Sequence, residues 1–317
     1  MRLTKNKRRL GAGPARVLTL AAISLLSISA ISLSMFSLEL QTRARAVVEP
    51  LRASVQTLSL PTAQHPVTPP TPAASQPRTE IQLNAPTADE RAMSACNAGR
   101  RGDVEAIPSL IALLGDDSKT QLVKCWESGR WSPALQTFKH PSPGEQAAIA
   151  LASFGRQVFL QLSNQLDSPN ATVRRNAAWA IGELTAMVPG ERAGAVPQLI
   201  TLLSDADEWV RMAAARTLGE LRDARSLDQL VATLGDDKWR VRQVATWALS
   251  EMKDKRAVAA LCNVLLSDAR AEVRRGAAEA LGEISSAEAL PSLKQALNDS
   301  ETSVSAKAAW AISEIEG

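Results

Sequence analysis

The sequence predicts an all-α chain, an α-solenoid of stacked helix pairs behind an N-terminal transmembrane helix and a disordered linker. Three observations carry this expectation. Leu199, Leu230, Leu261 and Leu293 recur at intervals of 31, 31 and 32 residues, each opening the same pattern. Residues 17–38 hold no charge for 22 positions, and prolines crowd the stretch that follows. A fixed period near 30 residues marks stacked copies of one supersecondary unit. The expected divisions are a cytoplasmic basic tail (1–16), a transmembrane signal anchor (17–38), a Pro-rich disordered linker (39–88) and the repeat solenoid (89–317).

Arg2, Lys5, Lys7, Arg8, Arg9 and Arg16 precede the uncharged run from Val17 to Leu38. At 1.5 Å per residue that run spans about 33 Å, the thickness of a bilayer core. The basic flank predicts a cytoplasmic N-terminus and a periplasmic or extracellular solenoid. The competing reading is a signal peptide cut after Ser27-Ile28-Ser29 or Ala44-Arg45-Ala46 and a secreted solenoid, exported in either case. Pro50, Pro61, Pro66, Pro69, Pro70, Pro72, Pro77 and Pro86 block helix and strand and favour an extended, solvated tether. The formal charge of +3 divides into +7 over residues 1–88 and −4 over 89–317. The pI of 8.9 is therefore a topology signal and gives no support to nucleic-acid binding.

Within each repeat, the first leucine is followed by a second anchor (Leu203, Leu234, Leu266, Leu297) and, seven residues on, by a valine (Val210, Val241, Val273, Val304). Leu162, Leu166 and Val173 fit the same template. After the valine, apolar residues fall four, seven, eight and eleven positions on, as in Val173, Ala177, Ala180, Ile181 and Leu184, which share one helical face. The leucine half has the same periodicity, so each unit is a pair of helices joined by a polar loop. One pair cannot bury enough apolar surface alone, and the copies must stack. Upstream, Glu90 to Ala98 and Val104 to Leu114 read as degraded helices, and Glu145 to Phe154 as a further one. Insertions at Ser118–Ser142 and Met187–Ala195 map to loops.

The strings from Val173 to Leu184 and from Val273 to Ile284, with Arg174-Arg175 and Arg274-Arg275 at their heads and Gly182-Glu183 and Gly282-Glu283 near their ends, resemble the short HEAT-type repeats of phycobilin lyases, a bacterial subtype. The resemblance covers residues 90–317 and implies a HEAT/armadillo-type superhelix. It carries no activity across. The deoxyhypusine hydroxylases, which share this fold, place His-Glu pairs two and three positions after the repeat valine to bind iron. This chain has Arg175-Asn176, Met212-Ala213, Gln243-Val244, Arg275-Gly276 and Ala306-Lys307 there. His65 and His140 lie in the tether and an insertion without ligand neighbours. The sequence thus predicts no catalytic, cofactor or metal site.

Two sets of recurring residues remain. Arg174, Arg211, Arg242 and Arg274 follow the valine, and Asp205, Asp236, Asp268 and Asp299 precede it by five. The resemblance implies that these form a structural ladder of charge-assisted hydrogen bonds between adjacent units. Glu183, Glu220, Glu251, Glu283 and Glu314 also recur and read as structural. On the face opposite the core, positions two, six and nine after the valine bring together Arg175, Arg216 and Arg275 with Trp179, Trp247 and Trp310. On the concave wall these would be partner-binding residues, with tryptophan and arginine composing a hot spot; the alternative is that each indole only completes packing. Trp209 and Trp239, at helix starts, cover loops. Cys96 and Cys125 are candidates for a disulfide in an exported protein, and Cys262 for a small packed hydrophobe. The expectation is a membrane-tethered, non-enzymatic scaffold binding a protein or peptide, with an accessory subunit of an exported enzyme or membrane sensor as the alternative.

Overall fold

The computed structural model describes residues 85–121, 141–184, 187 and 189–317. These residues are all-helical. The helices are α1 (Ala88–Arg101), α2 (Ile107–Leu113), α3 (Pro143–Ser153), α4 (Phe159–Gln165), α5 (Ala171–Glu183), α6 (Pro189–Arg192) and α7 (Val196–Leu202). There follow α8 (Glu208–Leu221), α9 (Leu227–Thr233), α10 (Trp239–Met252), α11 (Val258–Ser267), α12 (Ala271–Ile284), α13 (Leu290–Ala296) and α14 (Thr302–Glu316). Among the described residues no helix is long and apolar enough to cross a membrane. The expected tail, anchor and nearly all of the linker lie outside them, as do His65 and His140.

The start signals are local. Thr87 makes a capping box with Glu90, and Ser142, Asn170 and Asp207 cap α3, α5 and α8 through their side chains. A short 3-10 turn leads into the first helix of each pair, as at Ala224–Ser226 and Lys255–Ala257, where Asp223 and Asp254 accept the amides of Arg225 and Arg256. The short first helices α2, α4, α7, α9, α11 and α13 each pack on their own long partners α3, α5, α8, α10, α12 and α14. The long helices, beginning with α1, also pack on one another in an unbroken row. Leu110, Leu162, Leu199, Leu230, Leu261 and Leu293 are fully buried between the two rows.

Two expected second anchors are corrected. Leu266 and Leu297 are exposed, and Leu265 and Ala296 take the core positions instead. Leu265 stands four residues after Leu261, as Leu203 does after Leu199, and one further residue turns Leu266 about 100° away. Leu297 lies in the last pair, with no following first helix packed over it among the described residues.

The long helices are buried nearly all round. From Val210 to Gly219, α8 has no exposed residue, and Arg175 to Gly182 of α5 are buried without a break. Close approach requires small residues. A Cβ on Gly219 would lie 2.7 Å from Ala248 Cα, one on Gly282 3.0 Å from Ala311 Cα, and one on Gly99 2.9 Å from Ala150 Cα.

Bidentate rungs fix the register of the row. Arg174 grips Asp205 (2.7 and 2.9 Å), Arg211 grips Asp236 (2.7 and 2.9 Å), Arg242 grips Asp268 (2.6 and 2.9 Å) and Arg274 grips Asp299 (2.7 and 2.8 Å). Each arginine also donates to the backbone oxygen six residues before it, so one side chain ties its own loop to the next. Arg91 with Asp116 (2.7 Å) supplies an earlier rung that the degraded sequence hid. The register is broken at α3, where Gln146 replaces arginine and Ser168 replaces aspartate, and the Gln146 Oε1 is buried without a partner among the described residues. A substitute clasp spans this joint: Arg175 reaches Asp117 (3.1 Å) and Asn176 donates to the Leu114 carbonyl (2.8 Å).

The second insertion, expected as a loop, instead holds α6 and a 3-10 turn at Ala193–Ala195. Thr120 N–H donates to the Pro141 carbonyl (3.1 Å), closing the base of the first, whose residues 122–140 lie outside the described set. Cys96 of α1 is buried and disulfide-bonded, while Cys125, its expected partner, lies outside the described residues; Cys262 is free and half-buried. In the second insertion, Arg192 donates to the Ile181 and Gly182 carbonyls, capping the end of α5.

Burial pushes the Asp268 carboxyl up, but hydrogen bonds from Arg242 and the Arg270 amide and the charge of Arg242 outweigh it and hold it below the usual carboxylate range. Asp205 is held low by the same balance at Arg174. A carboxyl depressed on folding contributes stability that is complete above its unfolded value of about 4 and is lost as pH falls through the folded value. The melting temperature should therefore fall as pH drops below about 4. Asp268→Asn should cost about 2–3 kcal/mol at neutral pH and flatten that acid limb, because the rung is only 6% and 15% exposed. Thermal melts from pH 2 to 7 check both; an acid limb as steep in Asp268→Asn as in the native protein would count against the rung.

Candidate functional site

The exposed edge of the long-helix row is where side chains are free to meet a partner. Six residues were expected there, and the structure divides them. Trp179, Arg175 and Arg216 are buried, at 3%, 4% and 7% exposure, inside the joints. Arg216 covers the Trp179 ring at 5.9 Å and bonds Glu183 (2.5 Å) and Glu220 (2.9 Å). These three are joint residues and are corrected as such. The helix-wheel angle placed them opposite the core, but a long helix in the row has neighbours before and behind it as well as beneath. Trp247, Arg275 and Trp310 are half-buried and remain at the surface.

Trp247 packs one ring edge toward Gly219, where a Cβ would meet the ring at 3.2 Å, and Trp310 packs on Gly282 in the same way. The difference from Trp179 lies in the next helix. Glu279 of α12 occupies the repeat position that Arg216 fills over Trp179, and it bonds forward to Lys307 (3.2 Å). Gly276, three residues earlier, adds no side chain; a Cβ there would lie 2.5 Å from Thr246 Oγ1. Trp247 lines an open groove of about 510 Å³ between α8, α10 and α12. Trp310 is covered instead from its own helix, with Lys307 Nζ 4.4 Å from the ring centre.

The groove ends are held by a second row of ion pairs. Arg222 bonds Glu251 (2.5 Å) and Lys253 bonds Glu283 (2.9 Å). Arg222 and Lys253 close their helices with φ of 53° and 52°, a left-handed cap that glycine usually supplies and that costs other residues about 1 kcal/mol or more. Those longer side chains are what reach the neighbouring glutamates. Along the groove floor Thr246 Oγ1 donates to the Gln243 carbonyl (2.7 Å), and Ser250 is nearly covered.

A second aromatic feature, on the loop edge, was not read as a unit from the sequence. Arg240 lies 5.8 Å from the Trp209 ring and 5.3 Å from the Trp239 ring, and Arg270 lies 4.7 Å from Trp239. The stack covers the loops at the starts of α8, α10 and α12, through cation–π contacts between repeats. Its signal was the arginine at the second position of α10, legible only once the neighbouring helix starts are in contact. Among the described residues no group of three or more His, Cys, Asp or Glu side chains is arranged to hold a metal ion.

The sequence pattern of HEAT repeats matches residues 159–250, 196–282 and 258–317, together half of the chain. The chain belongs to the HEAT-repeat family. Solved structures similar to this HEAT chain include a chain from Kap95p with RanGDP, 14% identical, covering 74% of this chain and 35% of that one, with a TM-score of 0.50. Others are a designed armadillo repeat protein in complex with the peptide (KR)4 (24% identical; 57% and 98% covered; TM-score 0.43) and the complex of CpcE and CpcF of phycocyanin lyase from Nostoc sp. PCC7120 (24%; 56% and 99%; 0.42). A search of curated proteins returns no match.

Trp179 and Trp247 occupy the same repeat position in different surroundings, and their truncation separates the two roles. Trp179→Ala should cost about 3–5 kcal/mol, the penalty of emptying a filled joint. Trp247→Ala should cost about 1–2 kcal/mol, since much of its ring already meets solvent. Thermal or urea unfolding of the two variants measures the difference, and equal losses would show that Trp247 is a joint residue too.

Proposed function

We propose that this HEAT-repeat protein is a non-enzymatic scaffold that binds a protein or peptide partner along the exposed wall of its long helices, with the groove at Trp247 as the contact point. The observation that carries the proposal is the groove itself. Trp247, Gln243 and Arg275 line one concavity of about 510 Å³ between neighbouring long helices, and its ends are pinned by the Arg222–Glu251 and Lys253–Glu283 ion pairs. A half-buried indole in a preformed concavity contributes affinity without ordering cost, as hot-spot residues do.

The proposal includes the tether. The uncharged run at 17–38 and the basic tail before it support a single-pass anchor with a cytoplasmic N-terminus, and the prolines of 39–88 support a spacer holding the repeats on the far side of the membrane. An exported scaffold on such a spacer samples partners near the membrane surface.

A photo-reactive amino acid placed at Gln243, in the groove, tests the reading in intact cells against the same probe at Gln229, on the exposed surface of α9. Gln243 should give one discrete protein adduct that disappears with Trp247→Ala, and Gln229 should give none. Adducts from Gln229 alone, or adducts from Gln243 that persist in Trp247→Ala, would overturn the groove assignment.

A further inference from the structure

Resting on the groove as the partner site, we infer that it recognises an extended peptide segment carrying a single acidic side chain next to a large apolar one. The charges in and around the groove are spent unequally. Glu251 is bonded by Arg222, Glu283 by Lys253, and Glu279 by Lys307 at 3.2 Å. Lys307 in turn has its second contact on the Trp310 ring. Arg275 is the exception. Among the described residues its ion-pair contact is with Glu279 at 3.8 Å, beyond hydrogen-bond reach, with the Glu272 charge, already bonded by Arg270, nearby; its side chain is 35% exposed on the groove lining.

A planar guanidinium with unused donors selects carboxylate, which it can grip with two parallel hydrogen bonds. Gln243 lines the same groove and offers an amide there. Trp247 supplies an apolar platform in the same groove, suited to a leucine or aromatic residue flanking the acid. A polyanion fits worse. Glu251, Glu279 and Glu283 rim the groove, and each would repel a second negative charge even while its own is compensated. A basic segment fits worse as well, since it would meet Arg222, Lys253 and Arg275 and could gain a carboxylate only by breaking an existing pair.

Selection of a phage-displayed random nonapeptide library on the purified full chain tests this. Enriched peptides should share one Asp or Glu within three residues of Leu, Phe or Trp. Changing that acid to its amide should weaken binding at least tenfold in fluorescence polarisation, as should Arg275→Gln, and the two changes together should cost no more than either alone. Arg275→Lys should fall between, having the charge without the fork. Binding that depends on Trp247 yet enriches Lys or Arg, or shows no charge preference, would overturn this inference and leave the groove reading standing. Failure to recover any peptide whose binding is lost in Trp247→Ala would overturn both.

Discussion

The close packing of each long helix on the long helices before and after it is the constraint on which the rest of the structure depends. A helix pair of about 30 residues has too little interior of its own, so its stability has to come from the joint with its neighbours. The joint sets the composition of the long helices. Ala248 and Ala311 meet Gly219 and Gly282 because backbones that approach this closely leave no room for larger side chains. It also explains why these helices are not simply amphipathic: α8 is buried along nearly its whole length, including Arg211 and Arg216.

Small residues permit close approach but do not by themselves choose a register. The Arg–Asp rungs do. Each arginine grips the aspartate of the next loop with two bonds while a third binds its own loop, so sliding by one turn would break a nearly buried ion pair. The joint at α3 shows what happens without a rung. Gln146 cannot replace the guanidinium, and the clasp passes to Arg175 and Asn176, which reach the loop ending α2 past Gly144. The longer insertion falls in this same repeat, between α2 and α3.

A repeat array creates a site by departing from its own rule. Along the row, the position that carries Trp179, Arg216, Trp247 and Trp310 carries Glu279 in α12, and the position that elsewhere carries Asn176, Ala213, Val244 or Lys307 carries Gly276. Glu279 bonds forward to Lys307, and Gly276 leaves room for Thr246, whose Oγ1 a Cβ there would meet at 2.5 Å. The groove lies at these two departures, between ion pairs that pin its ends.

The sequence by itself determined the helix pairs and their period, because these depend on spacing along the chain: an apolar stripe at helical period and a valine at fixed offset; that the recurring Arg and Asp join in a ladder was implied by the resemblance to HEAT-type repeats. It also placed the helices around the first insertion: Glu90 to Ala98 falls within α1, and Glu145 to Phe154 overlaps α3 and runs one residue past its end. It hid the Arg91–Asp116 rung, whose repeat has lost the surrounding pattern, and it misjudged Leu266 by one residue. Which tryptophan meets solvent was decided only by tertiary structure. Trp179 and Trp247 are indistinguishable within their own helices, and what separates them is the residue at the matching position of the following helix: Arg216 lies over the Trp179 ring, whereas Glu279 bonds forward to Lys307. Exposure in a solenoid is a property of the joint, and a joint belongs to two repeats at once.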